Sequence, residues 1–129
     1  MLVAQHQRQL TCATILDVDI PSLESQSLRE ALSDQFLSRL EHLSLNGCEK
    51  IDDGFFLCKP KFTNLKSLYL CDTSITKVTI DSLVDLPNLE TLWISLDLRA
   101  GEAMRRLRQR KPDLDVTFGT HSDLSLIHI

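Results

Sequence analysis

Leu40-Glu41-His42-Leu43-Ser44-Leu45-Asn46-Gly47-Cys48 reads L-x-x-L-x-L-x-x-C, and the rest of the chain is organised around that stretch. Leu65-Lys66-Ser67-Leu68-Tyr69-Leu70-Cys71-Asp72-Thr73 repeats it in outline, and Leu89-Glu90-Thr91-Leu92-Trp93-Ile94 repeats its first six positions. The opening leucines stand 25 and then 24 residues apart. One such hexamer arises easily by chance, but three in register do not. A fixed period of tens of residues is the mark of stacked, repeated units. Weaker copies flank the three, Leu16-Asp17-Val18 before them and Leu114-Asp115-Val116 after.

Within each copy the L-x-L core has period two, so its leucines point to one side and the residues between them to the other. No unit can bury its leucines alone, so neighbours must stack. The spacing falls in the range of roughly 20–29 residues typical of leucine-rich repeats. The expected fold is therefore α/β, a leucine-rich-repeat solenoid forming a short right-handed arc. One parallel sheet lies on its concave side and helices or turns on its convex side. About four to five repeats are expected over residues 12–117, after an N-terminal extension or truncated repeat at 1–11. Return helices are predicted where apolar residues recur at helical spacing. Ser25–Leu37 is one, with Leu28, Ala31, Leu32 and Phe36 on one stripe. Asp97–Arg110 is another, with Ala100, Ala103, Met104 and Leu107 on one face, Asp97 as N-cap and Pro112 as the stop. Shorter returns are expected around Asp53–Cys58 and Thr79–Leu86.

Composition fits a leucine core and narrows the function. The chain has 129 residues, enough for one domain, with 43% apolar and only 5% aromatic residues. Its net charge of −4 gives no global field toward nucleic acid or anionic lipid. No apolar run of about 18 residues is present, so no membrane span is expected. Met1–Gln9 has neither a signal-peptide pattern nor the arginines of a transit peptide. Cys12, Cys48, Cys58 and Cys71 have no C-x-x-C spacing, which suits reduced thiols in an intracellular protein of the cytoplasm or nucleus. Leu124-Ser125-Leu126-Ile127-His128-Ile129 fits no repeat. It resembles the translation of a transposase-adapter sequence, so 118–129 is expected to be a non-native or disordered tail on a fragment.

The stretch Leu43-Ser44-Leu45-Asn46-Gly47-Cys48-Glu49-Lys50-Ile51-Asp52-Asp53-Gly54-Phe55 resembles the cysteine-containing repeat subtype, L-x-L-x-x-C-x-x-I-T-D-x-G-L. Asp52 replaces the pattern's threonine, and Thr73 takes the cysteine position in the next copy. That subtype is typical of F-box leucine-rich-repeat proteins, the substrate receptors of SCF ubiquitin ligases. The resemblance covers roughly 12–117 and implies a protein-binding module, the substrate-recognition region of such a receptor. It also implies that Cys48 is a small buried side chain satisfying backbone groups at a turn. The second resemblance is to short free-standing scaffolds or assembly factors, including the mitochondrial leucine-rich-repeat proteins associated with ATP synthase and complex I. That alternative carries no link to ubiquitin.

If the L-x-L leucines face the core, the alternate residues line the exposed sheet. They are Asp17 and Asp19, then His42, Ser44 and Asn46, then Ser67, Tyr69 and Cys71, then Thr91, Trp93 and Ser95, and last Asp113, Asp115 and Thr117. The central column reads Asp17, Ser44, Tyr69, Trp93, Asp115. The chain's one tyrosine and one tryptophan thus fall side by side. Such residues dominate binding hot spots because each combines rigid area with a polar tip. A cross-strand pair that merely stabilises the sheet is the competing reading. The candidate protein-binding residues are Tyr69, Trp93, Asp17, Ser44, Asp115 and Asn46, the aspartates favouring basic groups at the rim.

Other chemistry finds little footing. Arg105, Arg106, Arg108, Arg110 and Lys111 form a basic run, read as a solvated helix face rather than a nucleic-acid contact. Cys71 falls at a position predicted to be exposed, where a reactive thiol is conceivable. The histidines and cysteines lack zinc-ligand spacing, so no metal is expected. His42 and Ser44 share a strand face, but no G-x-S-x-G turn accompanies them. No phosphate-binding glycine motif occurs. No enzymatic activity, cofactor, small-molecule substrate, nucleic acid or membrane partner is expected.

Overall fold

The computed structural model describes residues 15–57 and 62–119, together with the backbone of Ile127–His128. Expectations concerning the first 14 residues, Cys12, Cys58 and most of the tail lie outside the described residues. The elements are β1 (Ile15–Asp17), α1 (Ser25–Ala31), α2 (Asp34–Arg39), β2 (His42–Ser44), α3 (Asp53–Leu57), β3 (Ser67–Leu70), α4 (Lys77–Ser82), β4 (Thr91–Ser95), α5 (Glu102–Arg110), β5 (Asp115–Gly119) and β6 (Ile127–His128). Single 3-10 turns follow α4 at Leu83–Asp85 and β4 at Leu96–Leu98. No helix among the described residues is long and apolar enough to cross a membrane.

The class is α/β. Strands β1 to β5 form one parallel sheet in sequence order, and β6 lies antiparallel on the far edge of β5. Register joins the repeat leucines into rows. Leu16, Leu43, Leu68, Leu92 and Val116 are paired successively across the five strands, as are Leu70, Ile94 and Phe118 across the last three. All of these side chains are buried. They share one core with Phe36 of α2, Phe55 of α3, Ile80 of α4 and Leu107 of α5. One face of the sheet is therefore covered by helices. The alternate strand residues on the other face remain at least partly open.

The turns leaving β2 and β3 share one backbone conformation. Gly47 follows β2 with φ of 83°, and Asp72, 25 positions later, has φ of 56°. Glycine adopts this left-handed region freely, and aspartate is among the few residues that tolerate it. The Gly47 N–H donates to the Cys71 carbonyl at 2.9 Å, tying one turn to the next.

Side chains carry the same period beyond the sheet. Asn64 Nδ2 donates to the Ser38 carbonyl at 2.8 Å, and Asn88 Nδ2 to the Thr63 carbonyl at 2.7 Å. Ser74 reaches the Glu49 carbonyl, Arg106 reaches Asp81, and Lys111 reaches the Leu86 carbonyl, each spanning 25 residues. The sequence spacing of the leucines thus reappears as the spacing of the hydrogen bonds.

Several local expectations are corrected. The helix predicted over Ser25–Leu37 is two helices. Leu32 is extended, with φ −110° and ψ 125°, and Ser33 caps the second helix by accepting from the Phe36 N–H at 3.1 Å. Ala31 is consequently exposed and off the buried stripe. The later helix begins at Glu102, after Gly101 with φ of 116°, and not at Asp97. Asp97 sits in a 3-10 turn, and Ala100 is exposed while Ala103, Met104 and Leu107 are buried. The last strand runs from Asp115 through Gly119, with Phe118 fully buried in the core.

Candidate functional site

The open face of the sheet is arranged in columns set by strand register. The first column is Ile15, His42, Ser67, Thr91 and Asp115. The second is Asp17, Ser44, Tyr69, Trp93 and Thr117. Four of the expected binding residues, Asp17, Ser44, Tyr69 and Trp93, therefore share one column. Asp115 does not. The chain enters β5 with Val116 opposite Leu92, so Asp115 is paired with Thr91 and Thr117 faces Trp93. Reading Leu114 and Val116 as the L-x-L of the last copy placed the strand two residues early; Val116 and Phe118 fill those roles.

Asn46 is also corrected. It is buried, and its Oδ1 accepts from the Cys71 N–H at 2.7 Å. It closes a backbone donor of the next repeat instead of presenting its amide to a partner. Cys71 lies buried in the same region, not exposed. Burial pushes its thiol up to about 12, with the charge of Asp72 adding to the effect. A thiol there is protonated and shielded, which removes it as a reactive group.

Cys48 is fully buried, and its Sγ–H donates to the Val18 carbonyl at 3.2 Å. Burial raises this thiol, the Ile20 backbone opposes the shift, and Asp19 and Asp17 add to it. The side chain thus links its turn to the preceding one. Thr73, in the equivalent place 25 residues on, instead donates to the Leu70 carbonyl of its own turn at 2.9 Å.

Tyr69 and Trp93 meet edge to face, their ring centroids 5.4 Å apart at an interplanar angle of 71°. That is a favoured geometry for two rings carrying opposed edge and face charge. Both residues are half-buried. The Trp93 indole N–H is shielded from solvent and has no hydrogen-bond partner among the described residues. An unpaired buried donor costs free energy. Beside Tyr69, toward β1, lies an open hollow edged by Ile15, His42, Ser44 and Ser67 and floored by the backbone at Leu16 and Leu43, whose side chains point into the core. Ile15 is 41% exposed there.

The basic run on α5 is largely engaged within the chain. Arg106 holds Asp81 with both of its fork nitrogens, at 2.9–3.0 Å. Arg105 pairs with Glu102, Lys111 holds the Leu86 carbonyl, and Arg108 lies 5.9 Å above the Phe118 ring. Among the described residues no group of three or more His, Cys, Asp and Glu side chains could hold a metal.

Asp53 was not singled out from the sequence as more than a motif position. Its carboxylate accepts from the N–H and hydroxyl groups of Thr76 and Thr79, at 2.5–3.3 Å. Burial raises the carboxyl, but these four bonds outweigh it and hold Asp53 below the usual range. Asn64 and Asn88 were likewise missed. The signal was the Asn-Leu pair that opens both later copies, 24 residues apart.

No protein-family profile, no curated protein and no solved structure matches the chain.

Proposed function

We propose that the chain is a short leucine-rich-repeat solenoid whose open sheet face binds another protein. One observation carries this reading. The chain's single tyrosine and single tryptophan stand in register on adjacent strands of that face, both partly exposed. Rigid aromatic area of this kind is what binding hot spots are enriched in. Five strands stacked in sequence order, joined by hydrogen bonds at the repeat period, support the solenoid assignment.

The same reading assigns the module to the substrate-recognition region of an F-box type, intracellular ubiquitin-ligase subunit. Support comes from the cysteine-type stretch Leu43–Phe55 and from the bond that Cys48 makes to the preceding turn. The module itself does no chemistry; it holds a protein for an enzyme elsewhere.

Two measurements test this. Selection of binders from an unbiased displayed-peptide library, repeated on the Tyr69→Ala/Trp93→Ala variant, tests the face. Binders lost by the variant, with circular dichroism unchanged, support it; binders indifferent to the variant overturn it. Sequencing the transcript outward in adapter-free material tests the ligase assignment. A compact helical F-box segment in the same reading frame supports it. A reading frame without one leaves a free-standing scaffold and removes the ligase.

A further inference from the structure

We infer that the partner segment is an extended strand crossing the sheet, with basic residues at its ends and apolar residues between them. This rests on the protein-binding reading above and names the chemistry of the occupant. Parallel strands lie about 4.8 Å apart, so β1 to β5 span about 19 Å. In an extended chain the same-face side chains i, i+2, i+4 and i+6 lie about 6.6 Å apart. Four such side chains therefore cover the five strands.

The face offers a matching order of environments. Asp17, exposed on β1, stands at one end. The apolar hollow lies next, between Ile15 and Tyr69. The Tyr69–Trp93 pair follows on β3 and β4. Asp115, exposed on β5, stands at the other end and also interacts within its own chain. Lys66, which precedes β3, has its ammonium 4.0 Å from Glu41, so its charge is partly answered already. An acidic segment would meet carboxylates at both ends of the path. A basic one gains at both, and its apolar middle fills the hollow and covers the rings.

The test uses heptapeptides free of tryptophan, read by the emission of Trp93, the chain's only tryptophan. The first peptide has lysine at positions one and seven, leucine at three and five, and serine elsewhere. The second replaces lysine by glutamate, and the third replaces leucine by serine. The lysine–leucine peptide is expected to bind saturably, at least about tenfold more tightly than either control. Raising salt should weaken it, since exposed charges are screened within about 10 Å at 0.1 M. Asp17→Lys should remove most of the preference for the lysine peptide over the glutamate peptide, and the double variant Asp17→Lys/Asp115→Lys should invert it. Equal affinity for those two, or no saturable response to any peptide, overturns the inference. Library-selected binders separate the two levels. Binders that need Tyr69 and Trp93 but carry no basic residue overturn the partner chemistry and leave the binding face standing. No binder that needs the two rings overturns both.

Discussion

Asp53 holds Thr76 twice, accepting its N–H at 2.8 Å and its hydroxyl at 2.5 Å, although 23 residues separate them. Thr76 is the N-cap of α4, and its own side chain accepts from the Val78 N–H. One carboxylate thereby fixes the cap of the next helix and, through Thr79, that helix's first turn. Asp53→Ala should lower unfolding free energy by about 1–2 kcal/mol, as lost caps and charged hydrogen bonds do. The folded carboxyl lies below its unfolded value, so its contribution is complete above the unfolded pKa, near 4. It is lost as pH falls through the folded pKa. Urea melts at pH 7 and pH 3 should differ less for Asp53→Asn than for wild type. An unaltered pH dependence would rule out this role.

Asn46→Ala leaves the buried Cys71 N–H without an acceptor. The cost should be about 1–3 kcal/mol in denaturant melts. Affinity for any peptide that the face selects should stay within about twofold, because the amide points into the stack. A stable variant that has lost binding would restore Asn46 to the interface.

Cys48 and Cys71 should resist alkylation in the folded protein. Both are fully buried and both thiols are raised, Cys71 to about 12. Reaction with iodoacetamide at pH 8, followed peptide by peptide, should be at least about 100-fold slower than in urea. Labelling of Cys71 at the unfolded rate would contradict its placement.

Tyr69 and Trp93 should also be coupled in stability. A double-mutant cycle to alanine should give about 0.5–1.5 kcal/mol, the value of a well-placed aromatic pair. Such coupling is compatible with binding. What separates a purely structural pair from a binding pair is whether selected peptides notice its loss.

Arg108 lies above Phe118, the last buried ring of the sheet. Arg108→Ala should cost about 0.5–1 kcal/mol in thermal or urea melts. Arg108→Gln, which keeps part of the stem over the ring, should recover some of the loss. No change in either variant would make Arg108 an ordinary surface charge.

The parallel sheet was legible because L-x-L copies at a constant spacing can bury their leucines only by stacking. The open column from Asp17 to Trp93 followed from period-two alternation and came out in register. The last strand was misread because a single leucine, Leu114, imitated the pattern two residues ahead of Val116 and Phe118. Asn46 was misread because alternation says which way a side chain leaves a strand, not whether a turn then folds over it. Gly47, with its positive φ, begins that turn at once. Ser33 broke the first return helix by offering a better cap than the helix interior could use. Asp53 lay hidden because its partners are a whole repeat away.

Bonds between units run both ways. Thr63, Asn64, Asn88, Arg106 and Lys111 each donate backward to an acceptor in the unit before. Ser25 donates forward to Asp52, the Asp72 N–H donates forward to Ser95, and the N–H groups of Val18, Leu45 and Gly47 donate forward to carbonyls of the next unit. A cut between any two units therefore bares donors and acceptors together, whichever side is removed. Neither end of the stack can be shortened without leaving N–H groups that water or a covering segment must serve.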